Sequence, residues 1–275
     1  MTQTALTLND GASIPQLGLG TWQMSDAEAA AAVRTALEVG YRLIDTAAVY
    51  GNESGVGAGL RAARLPREQV FVTTKLWNDR QGFDSALLAF DESLARLQLD
   101  YVDLYMIHWP APGHDRYLDS WRALIRLKEE KRARSIGVSN FQVPHLERII
   151  GETGVTPAVN QIELHPDFQQ QALMAFHVLH GIRTQSWSPL GQGALLQNKT
   201  IRAIAKKHQR TPAQIIIRWH IERELLAIPK SVHASRIQEN FAVFDFSLDA
   251  EDTTQLTLMD HAKGRIGPHP DTTEF

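Results

Sequence analysis

Four side chains that could carry out acid–base chemistry stand at or just after the ends of short apolar runs: Asp45, Tyr50, Lys75 and His108. A tyrosine phenol has a pKa of about 10, so it is protonated at neutral pH but is a sluggish acid on its own. A lysine ammonium about 4 Å away would favour the phenolate by roughly 4 kcal/mol, or about three pKa units before burial opposes it. An aspartate would keep that lysine charged, and a histidine would orient a substrate oxygen. The set is suited to protonating an alkoxide during carbonyl reduction, for which it still lacks a hydride source.

Each of these residues also has a structural explanation. Asp45 could cap a turn, Lys75 could be a solvated loop residue, and His108 could be a satisfied core histidine. A lysine at the end of a barrel strand is also what a Schiff-base aldolase uses. Because all of these residues converge on the ends of successive apolar runs, we favour a catalytic interpretation.

Three glycines stand at alternate positions in one short stretch: Gly55, Gly57 and Gly59. They do not form a dinucleotide fingerprint, because Leu60 stands where the third glycine is required. We interpret them as loop or helix-packing residues. His177 and His180 lie at helical spacing, but no third ligand follows in a recognisable pattern, so no metal site is predicted.

The tryptophans follow the same distribution as the candidate catalytic residues. Four of the six stand at or just after proposed strand ends: Trp22, Trp77, Trp109 and Trp187. Trp121 and Trp219 lie in helical patterns instead. Four large rings on one rim indicate a deep apolar pocket with a few polar groups at its base, which is typical of a small-molecule site.

Eight short apolar or β-branched runs alternate with longer amphipathic segments, at residues 16–21, 42–47, 70–75, 101–108, 134–139, 158–163, 182–188 and 225–230. Eight such units without a linker predict a (β/α)8 TIM barrel, with its active site at the carboxyl ends of the strands. An open, doubly wound sheet is the alternative. A hairpin at residues 5–15, with its turn at residues 9–11, is expected to close the barrel floor.

Two helices carry clear end signals. One begins after Ser25 with Glu28 three residues later, as in a capping box, and ends at Gly40. The other has Thr211 as its cap and Pro212 at its first position.

Composition limits the class of protein. The chain has 275 residues, 43% of them hydrophobic, and we expect one domain spanning residues 1–275. The 28 basic and 31 acidic side chains nearly balance, which favours neither nucleic acid nor an anionic membrane as a partner. There are no cysteines, hence no disulfides or thiolate sites. Neither a signal peptide nor a membrane-spanning run is evident, so we expect a cytoplasmic protein, and a monomer.

Seven motifs in order make the sequence resemble the aldo-keto reductases, and within them the bacterial 2,5-diketo-D-gluconate reductase branch. They are GYRLIDTAAVYGNE, TTKLWN, LDYVDLYMIHWP, SIGVSNF, NQIELHP, SWSPLGQG and IPKSVHASRIQEN. The resemblance covers essentially the whole chain. It implies an NADPH-dependent carbonyl reductase on a (β/α)8 barrel, acting on small aldehydes and ketones such as diketogluconate, methylglyoxal or β-keto esters. A cofactor-binding regulatory or structural protein without significant turnover is the alternative.

The resemblance also implies roles for individual residues. Tyr50 would be the proton donor, Lys75 and Asp45 would tune it, and His108 would position the carbonyl. The substrate would contact Trp22, Tyr50, Trp77, His108 and Trp109. The cofactor would contact Thr21, Trp22, Asp45, Ser139, Asn140, Gln161, Trp187, Ser188, Leu190, Gly191, Lys230, Ser231, Val232, Arg236, Glu239 and Asn240. Among these, Trp187 would stack on the nicotinamide, and the side chains at 139, 140 and 161 would hold its carboxamide.

The segment at residues 228–240 also has a physical interpretation. Lys230, Ser231 and Arg236 place two cations and a hydroxyl at the last strand and at the helix that follows. Such groups would hold a doubly charged ribose phosphate by charge-assisted hydrogen bonds, which favours NADPH over NADH.

Overall fold

The eight apolar runs form eight parallel strands in the computed structural model, which describes residues 3–273. They are β3 (Leu19–Gly20), β4 (Leu43–Asp45), β5 (Phe71–Leu76), β6 (Val102–Ile107), β7 (Ala133–Ser139), β8 (Val159–Glu163), β9 (Arg183–Trp187) and β10 (Leu226–Ala227). They are hydrogen-bonded in chain order, from β3 to β10. All eight predicted strands are therefore present.

Main-chain hydrogen bonds between the first and last strands close the sheet into a barrel. The amide of Gly18 donates to the carbonyl of Ala227 at 2.8 Å, and the amide of Ala227 donates to the carbonyl of Gln16 at 2.8 Å. The predicted (β/α)8 barrel is confirmed, and the open doubly wound sheet is wrong. β3 and β10 are shorter than predicted; Pro229, which follows β10, has no N–H to extend its ladder.

Helices cover the outside of the barrel. They are α1 (Asp26–Val39), α2 (Glu53–Ala62), α3 (Phe83–Leu97), α4 (Tyr117–Glu129), α5 (Val143–Thr153), α6 (Gln171–Leu179), α7 (Lys199–His208), α8 (Pro212–Glu222), α9 (Ala234–Phe241) and α10 (Ala250–Thr257). Ser25 and Glu28 form the predicted capping box of α1, and Gly40 is its C-cap. Thr211 caps α8 together with Gln214. Within residues 3–273, no helix is both long and apolar enough to cross a membrane.

The predicted hairpin closes the amino end of the barrel. It consists of β1 (Ala5–Thr7) and β2 (Ser13–Pro15), which are antiparallel. Leu8 and Ile14 are buried in a cluster with inward-facing strand residues. The side-chain Nδ2 of Asn9 donates to the carbonyl oxygen of Pro157 at 2.9 Å and ties the turn to the segment just before β8. The barrel interior at this end is therefore filled with apolar side chains.

The glycines of α2 allow three helices to pack closely. A Cβ added to Gly55 would lie 2.2 Å from the carbonyl oxygen of Asp26 in α1. One added to Gly57 would lie 2.2 Å from the carbonyl oxygen of Leu97 in α3, and one at Gly59 would meet Ala30 at 2.7 Å. The interpretation of this run as helix-packing glycines is confirmed.

We expect Gly57→Ala to lower the free energy of unfolding by about 1–3 kcal/mol, because its methyl group would collide with a main-chain oxygen that cannot move freely. Gly151→Ala in α5 is the matched control, since a Cβ there meets no atom within 4 Å. That variant should raise stability by up to about 1 kcal/mol through helix propensity. Urea unfolding of both variants measures the two changes in the free energy of unfolding, which should have opposite signs. Two changes of the same sign would contradict this account.

Candidate active site at the carboxyl end of the barrel

The four candidate catalytic residues meet at the carboxyl end of the strands. Asp45 is the last residue of β4, Lys75 is next to last in β5, and His108 directly follows β6. Tyr50 ends a single 3₁₀ turn, Ala48–Tyr50, in the loop after β4. Residues separated by up to 63 positions in the printed sequence are thus brought together by neighbouring strands.

Lys75 is the centre of the cluster and is fully buried. Its Nζ donates to Asp45 Oδ1 at 2.5 Å, to the carbonyl oxygen of Thr46 at 2.9 Å, and to the Tyr50 hydroxyl at 3.5 Å. A lysine ammonium has three N–H donors, and all three have an acceptor here. The third donor is aimed at the phenol oxygen of Tyr50.

His108 lies beside the phenol. Its ring meets the Tyr50 ring edge-on at 5.6 Å between centroids, and the Trp77 ring at 5.2 Å. Its Nδ1 is buried without a hydrogen-bond partner among the described residues. Because a buried donor without a partner is rarer than a buried acceptor without one, we assign the proton to Nε2. His108 is then a hydrogen-bond donor through Nε2.

Burial and charge shift the pKa values of these groups in different directions. Burial raises the pKa of Tyr50 above its ordinary value; the Lys75 ammonium lowers it, and Asp45 adds to the rise. Burial and the Lys75 charge hold the pKa of His108 well below its usual range. The phenol is therefore protonated and the imidazole neutral. The Lys75 ammonium was expected to lower the pKa of Tyr50, but burial has the larger effect and the net shift is upward.

The ion pair itself responds to the same effects. Burial alone would lower the pKa of Lys75, but the charges of Asp45 and Tyr50 outweigh it and the net shift is upward. Burial raises the pKa of Asp45, against the effects of Lys75 and of the Gln161 amide. Lys75 is therefore held as an ammonium.

Asn52 holds the loop that carries Tyr50, a role that the sequence did not reveal. It is fully buried. Its Nδ2 donates to the carbonyl oxygens of Thr21 and Met24 at 2.8 and 3.0 Å, and its Oδ1 accepts from the Thr46 hydroxyl at 3.0 Å. In the sequence, its only distinctive feature is its position two residues after Tyr50, and asparagine is common at such turn positions.

Five of the expected cofactor residues form one hydrogen-bonded network, which the Ser139 hydroxyl links by donating to the main-chain oxygen of Gln161 at 2.8 Å. Gln161 Nε2 donates to Asp45 Oδ2 at 2.8 Å and to Gln185 Oε1 at 2.7 Å, so both of its N–H groups are used. Asn140 Nδ2 donates to the Ser139 hydroxyl at 3.1 Å. Trp187 Nε1 donates to Asn140 Oδ1 at 2.8 Å. Gln185 was missed at the sequence level, because a buried glutamine in a strand carries no distinctive signal.

The loop after β9 contains four residues with a positive φ. Ser188 has a φ of 49°, and Gly191, Gln192 and Gly193 follow with φ of 57°, 50° and 94°. The amides of Gly191 and Gly193 donate to the carbonyl oxygens of Ser188 and Leu190 at 2.9 and 3.0 Å, so the loop folds into two tight turns. Leu190, between them, is partly buried against the core.

The basic segment lies beside the end of the first barrel strand, since Lys230 pairs with Gly20 in an isolated bridge. Both Lys230 and Arg236 are exposed, and neither lies within 4 Å of a carboxylate in residues 3–273. Ser231 accepts from the amide of His233 at 3.1 Å just before α9. Two cations without an ion-pair partner thus flank the start of a helix, where an anion is stabilised.

The remaining expected contacts are placed as follows. The Thr21 hydroxyl donates to the main-chain oxygen of Asp45 at 3.0 Å. Glu239 accepts from the Thr211 hydroxyl at 2.8 Å, so in this structure it serves α8. Val232 is partly buried and Asn240 is buried in α9.

The predicted rim of tryptophans is present. Trp22 lies two residues after the end of β3 and is 45% exposed, whereas Trp109 is 7% exposed. Trp77 and Trp187 are half-buried at the ends of β5 and β9. Trp121 and Trp219, by contrast, are buried in α4 and α8. The polar cluster therefore lies at an end of the barrel bordered by indole rings.

The histidine pair at helical spacing has structural partners. His177 lies between Asn160 and Thr184, at 2.9 and 2.8 Å, and burial lowers its pKa to about 3. His180 Nδ1 contacts the carbonyl oxygen of Phe176 at 2.9 Å. No group of three histidine or carboxylate side chains in the described part of the chain is arranged to hold a metal ion.

The chain is similar to known proteins along nearly its whole length. Methylglyoxal reductase DkgA of Salmonella typhimurium is 54% identical over 270 residues, covering 98% of this chain and 97% of that protein. The crystal structure of Gox0644 in its apo form is 51% identical with a TM-score of 0.97 and covers 100% of both chains. A single-site mutant of Gox0644 in complex with NADPH gives the same values. The sequence model of the Aldo/keto reductase family matches residues 16–260. The chain belongs to the aldo/keto reductase family.

Proposed function

We propose that this chain reduces small aldehydes and ketones to alcohols with NADPH, and that Tyr50 donates the proton. The observation that carries the proposal is the buried chain from Asp45 through Lys75 to the Tyr50 hydroxyl, with the His108 ring at its side. When bound, NADPH supplies the hydride. The residues of the chain then have to orient the carbonyl and deliver a proton to its oxygen.

The division of roles follows from the charge states. His108 is neutral, so it orients the carbonyl oxygen by a hydrogen bond from Nε2 and is a poor proton source. Tyr50 is protonated and within hydrogen-bond distance of an ammonium, which stabilises the phenolate left after proton transfer. Asp45 balances the charge of that ammonium. The substrate would lie against Trp22, Trp77 and Trp109.

The residues present fit the cofactor. Gln161 uses both of its N–H groups within the protein, so its Oε1 remains as an acceptor for the carboxamide N–H of a nicotinamide. Trp187 is fixed through its N–H and half-buried, as a stacking ring would be. Lys230 and Arg236, which lie within 4 Å of no carboxylate in residues 3–273, fit the ribose phosphate that distinguishes NADPH from NADH.

Methylglyoxal is the substrate that we favour among small carbonyl compounds, because the 54% identical relative from Salmonella typhimurium is named for it. 2,5-Diketo-D-gluconate and β-keto esters are the other candidates. The apolar rim suits small uncharged carbonyl compounds.

The aldolase alternative is disfavoured by the state of Lys75. Schiff-base chemistry requires a neutral amine, usually obtained by lowering the lysine pKa. Here the pKa of Lys75 is raised, and all three N–H donors have acceptors. A regulatory protein that binds the cofactor without turnover has no need of this cluster.

We expect Tyr50→Phe to lower turnover of methylglyoxal by at least about 100-fold, because a general acid contributes roughly 10²–10⁴-fold. NADPH affinity should stay within a few-fold of the parent protein. Tyr105→Phe is the control, since that buried hydroxyl has no hydrogen-bond partner among the described residues. Steady-state kinetics and NADPH titration provide the measurements. Undiminished turnover in Tyr50→Phe would remove the proposed acid.

Lys230→Gly combined with Arg236→His should weaken NADPH binding by about tenfold or more, since two charge-assisted contacts to the phosphate are lost. NADH binding should change little. Lys206→Ala, an exposed lysine on α7, is the matched control. Fluorescence titration with both cofactors measures the effect. Equal weakening of NADPH and NADH would disprove the phosphate assignment.

The pKa directions predict a flat pH profile. The acid Tyr50 must be protonated, and its raised pKa keeps it so at neutral and mildly alkaline pH. His108 must be neutral, and its lowered pKa keeps it so at pH 6 and above. Turnover at saturating NADPH and methylglyoxal should therefore vary little from about pH 6 to about pH 9. A transition between pH 6 and 7 that disappears in His108→Gln would contradict the neutral imidazole.

A further inference from the structure

Glu163 is a buried carboxylate at the rim that none of the roles above uses. It is the last residue of β8, is 1% exposed, and is paired in register with Trp187 on β9. Its Oε1 accepts from the amide of Ile266 at 2.5 Å and its Oε2 from the amide of Gly267 at 2.9 Å. Both oxygens therefore bind the main chain of the C-terminal tail, residues 261–273.

The segment that begins with Glu163 supports the tail at several further points. We call residues 163–168 the tail platform. His165 is fully buried between the carboxylates of Glu163 and Asp167. The carbonyl oxygen of Asp167 accepts from the amide of His261 at 3.1 Å, and a Cβ on Gly264 would lie only 2.0 Å from it. The main chain of the tail is thus seated on the platform at close range.

The tail in turn touches the ring expected to stack on the nicotinamide. A Cβ on Gly267 would lie 2.5 Å from Cη2 of Trp187 and 3.3 Å from its Cζ2. These atoms belong to the benzene edge of the indole, whereas the opposite edge donates its N–H to Asn140. Trp187 is therefore held between a hydrogen bond on one side and the backbone of Gly267 on the other.

We propose that Glu163 is a positioning residue for the cofactor: by holding Ile266 and Gly267 it fixes Trp187 in the orientation that stacks on the nicotinamide ring. This inference rests on the proposed function. A tail anchor without that role would stabilise the fold and leave cofactor recognition unchanged. The two roles differ in which half of NADPH responds, because only the nicotinamide half meets Trp187.

The test compares two ligands, NADPH and adenosine 2′,5′-bisphosphate, which carries the phosphorylated ribose and adenine but no nicotinamide. Glu163→Gln replaces one acceptor oxygen by an NH₂ group that faces a main-chain N–H. It should weaken NADPH by about tenfold and the bisphosphate by less than about twofold. Isothermal titration calorimetry measures both affinities. Equal weakening of the two ligands, or no weakening of either, would overturn the proposal.

Gly267→Ala is a second variant that keeps Glu163 intact. Its methyl group would displace either the tail or Trp187, so the same selective loss of NADPH affinity is expected. Asp103→Asn is the matched control. Asp103 is a buried carboxylate that accepts a main-chain N–H, that of Val72 at 2.9 Å, on β6 near its amino end. This control should lower stability and leave both affinities unchanged.

A double-mutant cycle with Trp187→Ala separates the mechanism from a general loss of order. In the Trp187→Ala background, Glu163→Gln should cause no further loss of NADPH affinity. A further loss as large as in the parent protein would overturn the proposal. If the parent protein itself neither bound NADPH nor reduced methylglyoxal, the proposed function would fail instead, which is a distinguishable outcome.

Discussion

The buried ion pair between Lys75 and Asp45 is the interaction on which the site depends. Removing two charges from water costs several kcal/mol for each ion, and only complete hydrogen bonding offsets that cost. The lysine has acceptors for all three of its N–H donors, and both aspartate oxygens are bonded, one to the lysine and one to Gln161. Loss of either partner would leave an uncompensated charge, at about 3–5 kcal/mol. The barrel supplies what the pair requires, because adjacent parallel strands hold the two residues rigidly at one end.

The burial that makes the ion pair costly to desolvate also determines the protonation states of Tyr50 and His108. Burial raises the pKa of Tyr50 and lowers the pKa of His108. Tyr50 therefore keeps its proton, and His108 stays a neutral imidazole. Lys75 moves the other way, since Asp45 outweighs its desolvation. The three titratable groups of this cluster are thus held as a neutral phenol, an ammonium and a neutral imidazole, which fits the roles proposed for them. In the proposed reaction, the charge on Lys75 would matter less for lowering the pKa of the Tyr50 phenol than for stabilising the phenolate left after proton transfer.

The parts predictable from sequence were those with a local signature. Eight apolar runs, the caps of two helices and the polar residues at strand ends are visible within a few positions, and the eight runs predicted the barrel. The lengths of β3 and β10 could not be predicted, because they depend on Pro229 and on how the first and last strands pair to close the barrel. Gln185 and Glu163 were missed for a related reason. In the sequence, a buried polar residue of a strand cannot be told from a polar residue that faces solvent. The contact that reveals the role of Glu163 is with Gly267, 104 positions away in the sequence.

Hydride transfer requires the proton donor and the nicotinamide to be fixed relative to each other to a fraction of an ångström. The structure offers one continuous path for this. Asp45 binds the Gln161 side chain, and the main-chain oxygen of Gln161 accepts from the Asn140 amide at 2.9 Å. The Asn140 side chain then holds one edge of Trp187, while the tail holds the other. A ring held at only one edge could rotate about that contact. Contacts at both edges remove this freedom. The C-terminal tail therefore contributes to the same alignment as the buried ion pair.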